Sequence, residues 1–343
     1  MTKFGGRTQK KRCLEETGKR LAAVIGLCVV LVFAGHGTAH ALPFAPGQVF
    51  ASVGLDQVNV FNPNGTLVQT LNTFQGLVDE AGFTTGSTFD GAGNFYVTNF
   101  SANTISKFNN VGGLSGSFGD TNPLALSPES IVLDKAGNAY VGYADGDRDI
   151  RKFSAAGLLL TQFDVATENR GSGWIGLAAD QRTVFYTSEG RSIKRFDVVT
   201  NTQLADFATL PGDGTAFDFR LLPDGGLLVA DSLNVKRLNS SGVVIKTYDA
   251  PGEDQFLPLT LDPDNTTFWT GGRESGKIYR FNIDTGDLIT SFSSQPFLLL
   301  AGLSVFGGVT PPISQVPEPS TIVLFLTGLG GLLFYTRRFI AAA

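Results

Sequence analysis

Between Ser87 and Phe118 the chain reads STFDGAGNFYVTNFSANTISKFNNVGGLSGSF, and this stretch limits what the protein can become more than any other. Four short runs rich in aromatic and β-branched residues, Ser87 to Phe89, Phe95 to Thr98, Thr104 to Phe108 and Leu114 to Phe118, alternate with turns of Gly, Asn and Ser. That alternation predicts a four-stranded antiparallel meander. A lone meander leaves both apolar faces in water, so it must stack on further copies of itself.

The copies are present. With Asp90 as a landmark, equivalent positions are Asp134, Asp180, Leu222 and Asp262, with Phe44 before them and Phe306 after them. The spacings are 46, 44, 46, 42, 40 and 44 residues, within the range of propeller-type repeats. Six residues past the landmarks stand Phe50, Tyr96, Tyr140, Tyr186, Leu228 and Phe268. A third strand recurs as VNVF, ISKF, IRKF, IKRF, VKRL and IYRF, followed in several copies by a turn in which Gly65, Gly157, Gly242 and Gly286 supply a positive φ.

The ends of the repeat array complement each other. The first copy lacks its innermost strand, and AGLSVFGG, residues 301–308, supplies only that strand. The two fragments make one complete unit, so the expected fold is all-β: a six-bladed β-propeller closed by a C-terminal strand over residues 42–308, with Leu303 to Val305 beside Val49 to Ser52. The pattern D-x-x-G-N-x-Y-V, then I-x-K-F, then a Gly turn resembles the NHL-repeat family of propellers. The match is best in the copies led by Asp90 and Asp134 and weakest where Leu222 replaces the landmark Asp. The resemblance implies a fold and a ligand-binding face without fixing a reaction.

Both termini read as addresses. Seven basic residues between Lys3 and Arg20 precede the apolar run LAAVIGLCVVLVFAG, and Ala39 and Ala41 present small side chains where a signal peptidase cuts. Residues 1–41 therefore read as a signal peptide. Bulky Leu27 before Cys28 argues against lipoprotein processing. At the other end, a Pro-containing linker over 309–315 leads to Pro317, Glu318 and Pro319, then to an apolar stretch over 321–336 and the pair Arg337 and Arg338. Sixteen apolar residues lie at the short limit for a transmembrane helix, and the arginines would hold its far end in the cytoplasm. This order over residues 316–343 resembles the PEP-CTERM sorting signal. The resemblance implies a Gram-negative bacterium and recognition of Pro317, Glu318 and Pro319 by an exosortase. It further implies an inner-membrane-tethered precursor and delivery to the cell surface or to an extracellular matrix of the kind that accompanies exopolysaccharide and biofilms.

Composition narrows the chemistry. Between Leu42 and Thr336 there are 17 Lys and Arg against 29 Asp and Glu, a net charge of -12, which disfavours nucleic acid and anionic membrane surfaces. Both cysteines and both histidines precede Leu42. Past that point the chain offers no Ser-His-Asp triad, no Cys nucleophile and no zinc site of ordinary type. Carboxylate chemistry survives, and with it an alternative reading as a calcium-dependent, gluconolactonase-like lactonase using the channel.

In a propeller, the loops before each innermost strand and those joining second and third strands gather around one end of the channel, the default binding face. The first set contributes Glu129, Trp174, Asp218, Arg220 and Asp254. The second contributes Asn99, Asp145, Asp147, Arg148, Glu189, Arg191, Asp231, Arg273 and Glu274. Of these, Asn99, Glu129, Asp145, Trp174, Glu189, Asp218, Asp231 and Arg273 are the candidate ligand-binding residues, for a glycan, a peptide or a matrix protein. No catalytic residue is assigned. The column Asn99, Glu189 and Asp231 reads first as caps of the following turns, with a channel ion as the sharper alternative. Asp145, Asp147 and Asp149 resemble the start of a calcium loop, but Ile150 and Ala156 stand where Gly and Glu are required, so no metal site is assigned and calcium in the channel is kept only as an alternative. The basic column Lys107, Lys152, Arg195, Arg237 and Arg280 is expected to pair with carboxylates of neighbouring blades.

Overall fold

The computed structural model describes residues 43–73, 82–119, 125–294 and 299–307. The signal peptide, the linker and the sorting segment expected from the sequence all lie outside the described residues. Everything described belongs to one compact unit and is built from strands and turns.

Twenty-four strands form six four-stranded antiparallel sheets. Blade 2 holds β4 (Thr84–Phe89), β5 (Phe95–Asn99), β6 (Thr104–Phe108) and β7 (Leu114–Phe118). Blade 3 holds β8 (Ala125–Leu133), β9 (Ala139–Gly146), β10 (Ile150–Phe153) and β11 (Leu159–Phe163). Blade 4 holds β12 (Trp174–Leu177), β13 (Thr183–Thr187), β14 (Ser192–Asp197) and β15 (Thr202–Thr209). Blade 5 holds β16 (Phe219–Leu221), β17 (Leu227–Ala230), β18 (Val235–Leu238) and β19 (Val244–Tyr248). Blade 6 holds β20 (Phe256–Leu261), β21 (Thr267–Gly272), β22 (Lys277–Asn282) and β23 (Leu288–Ser293).

Blade 1 is the composite. Its order is β24 (Leu300–Val305), β1 (Val49–Val53), β2 (Gln57–Phe61) and β3 (Leu67–Asn72). Val49 pairs with Val305, Phe50 with Ser304, Ala51 with Leu303 and Ser52 with Gly302, the closure expected from the sequence. Apolar packing welds the seam: Val49, Ala51, Val53, Leu303 and Val305 form one buried cluster with Trp269 and Ile278 of blade 6. Burying a side chain such as Leu303 contributes about 1.5–3 kcal/mol.

Innermost strands also touch through polar side chains. The Ser87 hydroxyl donates to Ser304 Oγ at 2.9 Å, the Ser130 hydroxyl donates to the Gly173 carbonyl at 2.6 Å, and the Leu259 N–H donates to Asp218 at 2.9 Å. Gly86 and Gly302 permit this close approach, because a Cβ on either would run into the backbone of the adjoining blade. Third-to-fourth-strand hairpins carry a bulge in all six blades, and Gly65, Gly112, Gly157, Gly242 and Gly286 take the positive φ in five of them, while Asn201 takes it in blade 4.

The repeat columns hold with one correction. Opposite the basic column stand Tyr96, Tyr140, Phe185, Leu228 and Trp269, not Tyr186 and Phe268. The reason is turn length. The first turn of blade 3 closes from Asp134 N–H to the Asn138 carbonyl, whereas blades 4 and 6 close one residue later, from Ala178 to Thr183 and from Asp262 to Thr267. Counting from a fixed landmark therefore slips by one, and a one-residue slip exchanges the two faces of a strand. The equivalent of Asp134 in blade 4 is Ala178, not Asp180.

Pairing of the basic column is corrected too. Lys152 meets Asp134 at 3.1 Å and Arg280 meets Asp262 at 2.8 Å, each within its own blade. Lys107 lies over Tyr96 and Arg195 against Phe185 and Phe207, again within one blade. Only Arg237 reaches outward, joining Asp224 of its own blade to Asp284 of blade 6.

Candidate functional site

The loops before the innermost strands and those after the second strands supply the residues of the channel mouth. Its charged centre is built by Arg170, in the loop entering blade 4. The guanidinium donates to both oxygens of Asp145 on β9, at 2.9 and 2.6 Å, and to Glu189 in the β13–β14 turn at 3.0 Å. It also lies 4.9 Å from the centre of the Phe100 ring of blade 2, which stacks on Phe83 with ring centroids 4.7 Å apart. One side chain thus ties blade 2, blade 3 and blade 4 together. The bonds donated by Arg170 hold Asp145 below the ordinary carboxylate range, and Asp145, by accepting them, raises Arg170 in turn.

Glu129, on β8, is buried beside this group. Burial first, and the Glu189 carboxylate second, push its pKa up to about 8, against the opposing pull of Arg170. Its Oε2 has no hydrogen-bond partner among the described residues. Asp218, just ahead of β16, is buried and raised to about 6 by that burial, while Arg220, its ion-pair partner, and the N–H groups of Phe219 and Leu259 pull the other way.

The remaining candidates divide. Asn99 donates to Thr104 Oγ1 at 2.8 Å and Ser106 Oγ at 2.9 Å. Asp231 accepts the N–H groups of Leu233 and Asn234 and pairs with Lys236. Asp231 thus caps its turn, whereas Asn99 bonds only side-chain hydroxyls and leaves its Oδ1 without a partner among the described residues, and the third member of the column, Glu189, leaves its turn for Arg170. Trp174 is buried within the apolar cluster of Ile193, Leu210, Phe219 and Leu257, so its ring is core. Arg273 has an exposed side chain, and its backbone bridges Gln255 and Leu300. Asp254, Glu274 and Arg148 are exposed, and Arg191 is tied to the Leu210 carbonyl.

The three carboxylates of the ADGDRDI loop divide: Asp145 turns to Arg170, while Asp147 pairs with Arg151 and shares the Gln162 amide with Asp149. Among the described residues no group of three or more His, Cys, Asp or Glu comes together to hold a metal ion.

Arg170 and Phe100 have no counterpart in the sequence reading, because neither occupies a repeated column. Glu168 and Glu253 were also unread. Each reaches from the loop entering its blade over a glycine at or just past the end of the second strand, Glu168 over Gly190 and Glu253 over Gly272, and Glu253 accepts from the Ser275 and Tyr279 hydroxyls.

Comparison with known proteins separates address from fold. Residues 315–338 match the PEP-CTERM protein-sorting motif. The chain carries a PEP-CTERM signal. That signal implies exosortase-dependent export of the propeller through a membrane-anchored precursor in a Gram-negative bacterium. No curated protein matches the chain. Solved structures of like shape include the nidogen/laminin complex, with a TM-score of 0.60 at 15% identity over 77% of this chain and 100% of that one. A protein of unknown function from Bacteroides caccae gives 0.58 at 14% identity over 76% and 98%. A catalytically inactive variant of virginiamycin B lyase from Staphylococcus aureus, solved with quinupristin, gives 0.52 at 15% identity over 74% and 87%. At these identities the likeness is one of fold.

Proposed function

We propose that the exported propeller is a non-catalytic binding module of the cell surface or extracellular matrix, engaging a glycan, a peptide or a matrix protein through its channel mouth. The observation that carries this reading is the Arg170 clamp, which holds Asp145 and Glu189 in fixed ion pairs across blades and so leaves them poorly placed as acids or bases. The described residues contain no imidazole or thiol to take that part instead. Screening the secreted protein against glycan and peptide arrays is expected to give saturable binding with unchanged ligand. Hydrolysis of a lactone or glycoside would favour an enzyme and overturn this reading, and a melting temperature raised by calcium and lowered by EDTA would single out the lactonase.

On the same reading residues 1–41 are removed on export and 316–343 serve only for sorting. Replacing Pro317, Glu318 and Pro319 by Ala should trap the protein, tail intact, in the inner membrane. Normal release of that variant would remove the surface assignment.

A further inference from the structure

Glu129 stands out because it sits where the β8–β9 register breaks, between Pro128 and Ser130, and keeps a buried carboxyl oxygen without a partner among the described residues. The Thr98 hydroxyl donates to its carbonyl at 3.3 Å, and the adjacent Ser130 hydroxyl bridges to blade 4 by donating to the Gly173 carbonyl and accepting the Ile175 N–H at 2.9 Å. The side chain is 6% exposed, and its Oε2 lacks a partner among the described residues. Gly173 provides the room it occupies, since a Cβ there would collide with Oε2. The charges it feels come from three blades: Asp145 on β9, Glu189 in the β13–β14 turn, Arg170 in the loop entering blade 4, and Asp218 ahead of β16.

Those neighbours are already engaged. Arg170 serves Asp145 and Glu189, and Arg220 serves Asp218. Four carboxylates thus share two paired guanidiniums, and the one left over is buried. An anion would be repelled by the neighbouring carboxylates, and a neutral group could bond the carboxyl but would leave the surplus negative charge of three carboxylates against two guanidiniums unbalanced. A group bringing one positive charge and several N–H donors answers both deficits.

We propose that the mouth is a primary-ammonium site, in which Glu129 receives the charged amine of a lysyl side chain or of an amino sugar where blades 3, 4 and 5 converge. This deepens the binding-module reading and rests on it. An ammonium suits the site better than a divalent cation. It needs one carboxylate and can donate its other hydrogens to carbonyl oxygens or water, whereas calcium takes about 6–8 oxygens, and no three acidic side chains among the described residues are placed to hold a metal ion. With its pKa raised to about 8, Glu129 holds a proton at neutral pH in the free protein. The incoming ammonium displaces that proton, so binding releases a proton at neutral pH; for a lysine amine, which at an ordinary pKa of about 10.4 stays charged, binding also tightens as pH rises.

The test is calorimetric titration of the intact secreted protein near pH 6.5 and about pH 8.5, on either side of that titration. The probes are a lysine-containing tetrapeptide, the same peptide acetylated on the amine, a glucosamine tetramer and calcium chloride. The expected results are binding of the lysine peptide or the glucosamine oligomer, at least ~10-fold weaker binding of the acetylated peptide, and loss of about as much affinity in Glu129→Gln. Enthalpies that vary with the buffer's ionisation heat would report the proton release on wild-type protein, whether or not the variant folds. Equal binding of the acetylated peptide, no binding of either amine, unchanged affinity in a folded Glu129→Gln variant, or calcium competing with the amine would each overturn the proposal. Equal binding of the acetylated peptide would leave the binding-module reading intact, whereas turnover of a lactone or glycoside would remove that reading itself.

Discussion

Where the first and second strands of blade 6 turn, the residues of a single blade satisfy one another; at the opposite end of the propeller, around Arg170, charges are shared between neighbouring blades. In blade 6 the Asp262 carboxylate accepts from Thr267 at 2.5 Å, Trp269 at 3.0 Å and Arg280 at 2.8 Å, all from its own sheet. At the mouth, Arg170 spends its hydrogen bonds on blades 3 and 4 and its flat face on blade 2. The first arrangement makes a wedge that is complete before it meets the next one. The second exists only in the assembled ring, and it leaves Glu129 buried without a matching cation.

The contrast can be broken most directly at its self-contained end. Asp262→Ala strands two or three buried donors and should cost about 3–5 kcal/mol, lowering the melting temperature by roughly 6–15 °C without changing affinity at the mouth. A shift below about 2 °C would mean that the blade does not depend on its own carboxylate.

Glu129 offers the next largest effect, with a sign that follows from linkage. The folded protein holds this proton up to about pH 8, whereas the ordinary carboxyl of the unfolded chain loses it near 4.5. Between those values the unfolded state binds fewer protons, so wild-type stability falls as pH rises, by up to about 1.4 kcal/mol per unit, and levels off above the window. Glu129→Gln should lack that slope. Parallel stability curves for the two proteins, measured by denaturant unfolding across the window, would show that the carboxyl is not held neutral by the ring.

Arg170→Leu should cost about 1–2 kcal/mol, since the lost bonds are charged but a third of the side chain meets solvent. It should also drive Glu129 further upward and stretch the falling limb beyond pH 8. Smallest of all, Asp284→Ala removes the exposed cross-blade contact to Arg237 and should change stability by about 0.5 kcal/mol or less. A larger loss there would erase the distinction between the two ends.

What was legible in the sequence follows the same division. The closing strand could be read because the pairing of Val49 with Val305 completes a pattern repeated five times elsewhere. The Phe185 and Trp269 positions were misread by one residue because turn length varies between blades while the hydrogen-bond ladder does not. Trp174 reads in the sequence as part of the loop before an innermost strand and hence as a lining residue, yet it opens β12 and packs into the apolar layer beside Phe219. Arg170 lay beyond reach, since a side chain that satisfies three different blades repeats in none of them.

The strand that seals the toroid has a further meaning in time. Val305 leaves the ribosome 256 residues after its partner Val49, and the sorting motif begins only ten residues later, at residue 315. A polypeptide cut short during synthesis therefore loses its fastening and its destination together, and only a chain able to lock shut carries the label by which it is dispatched.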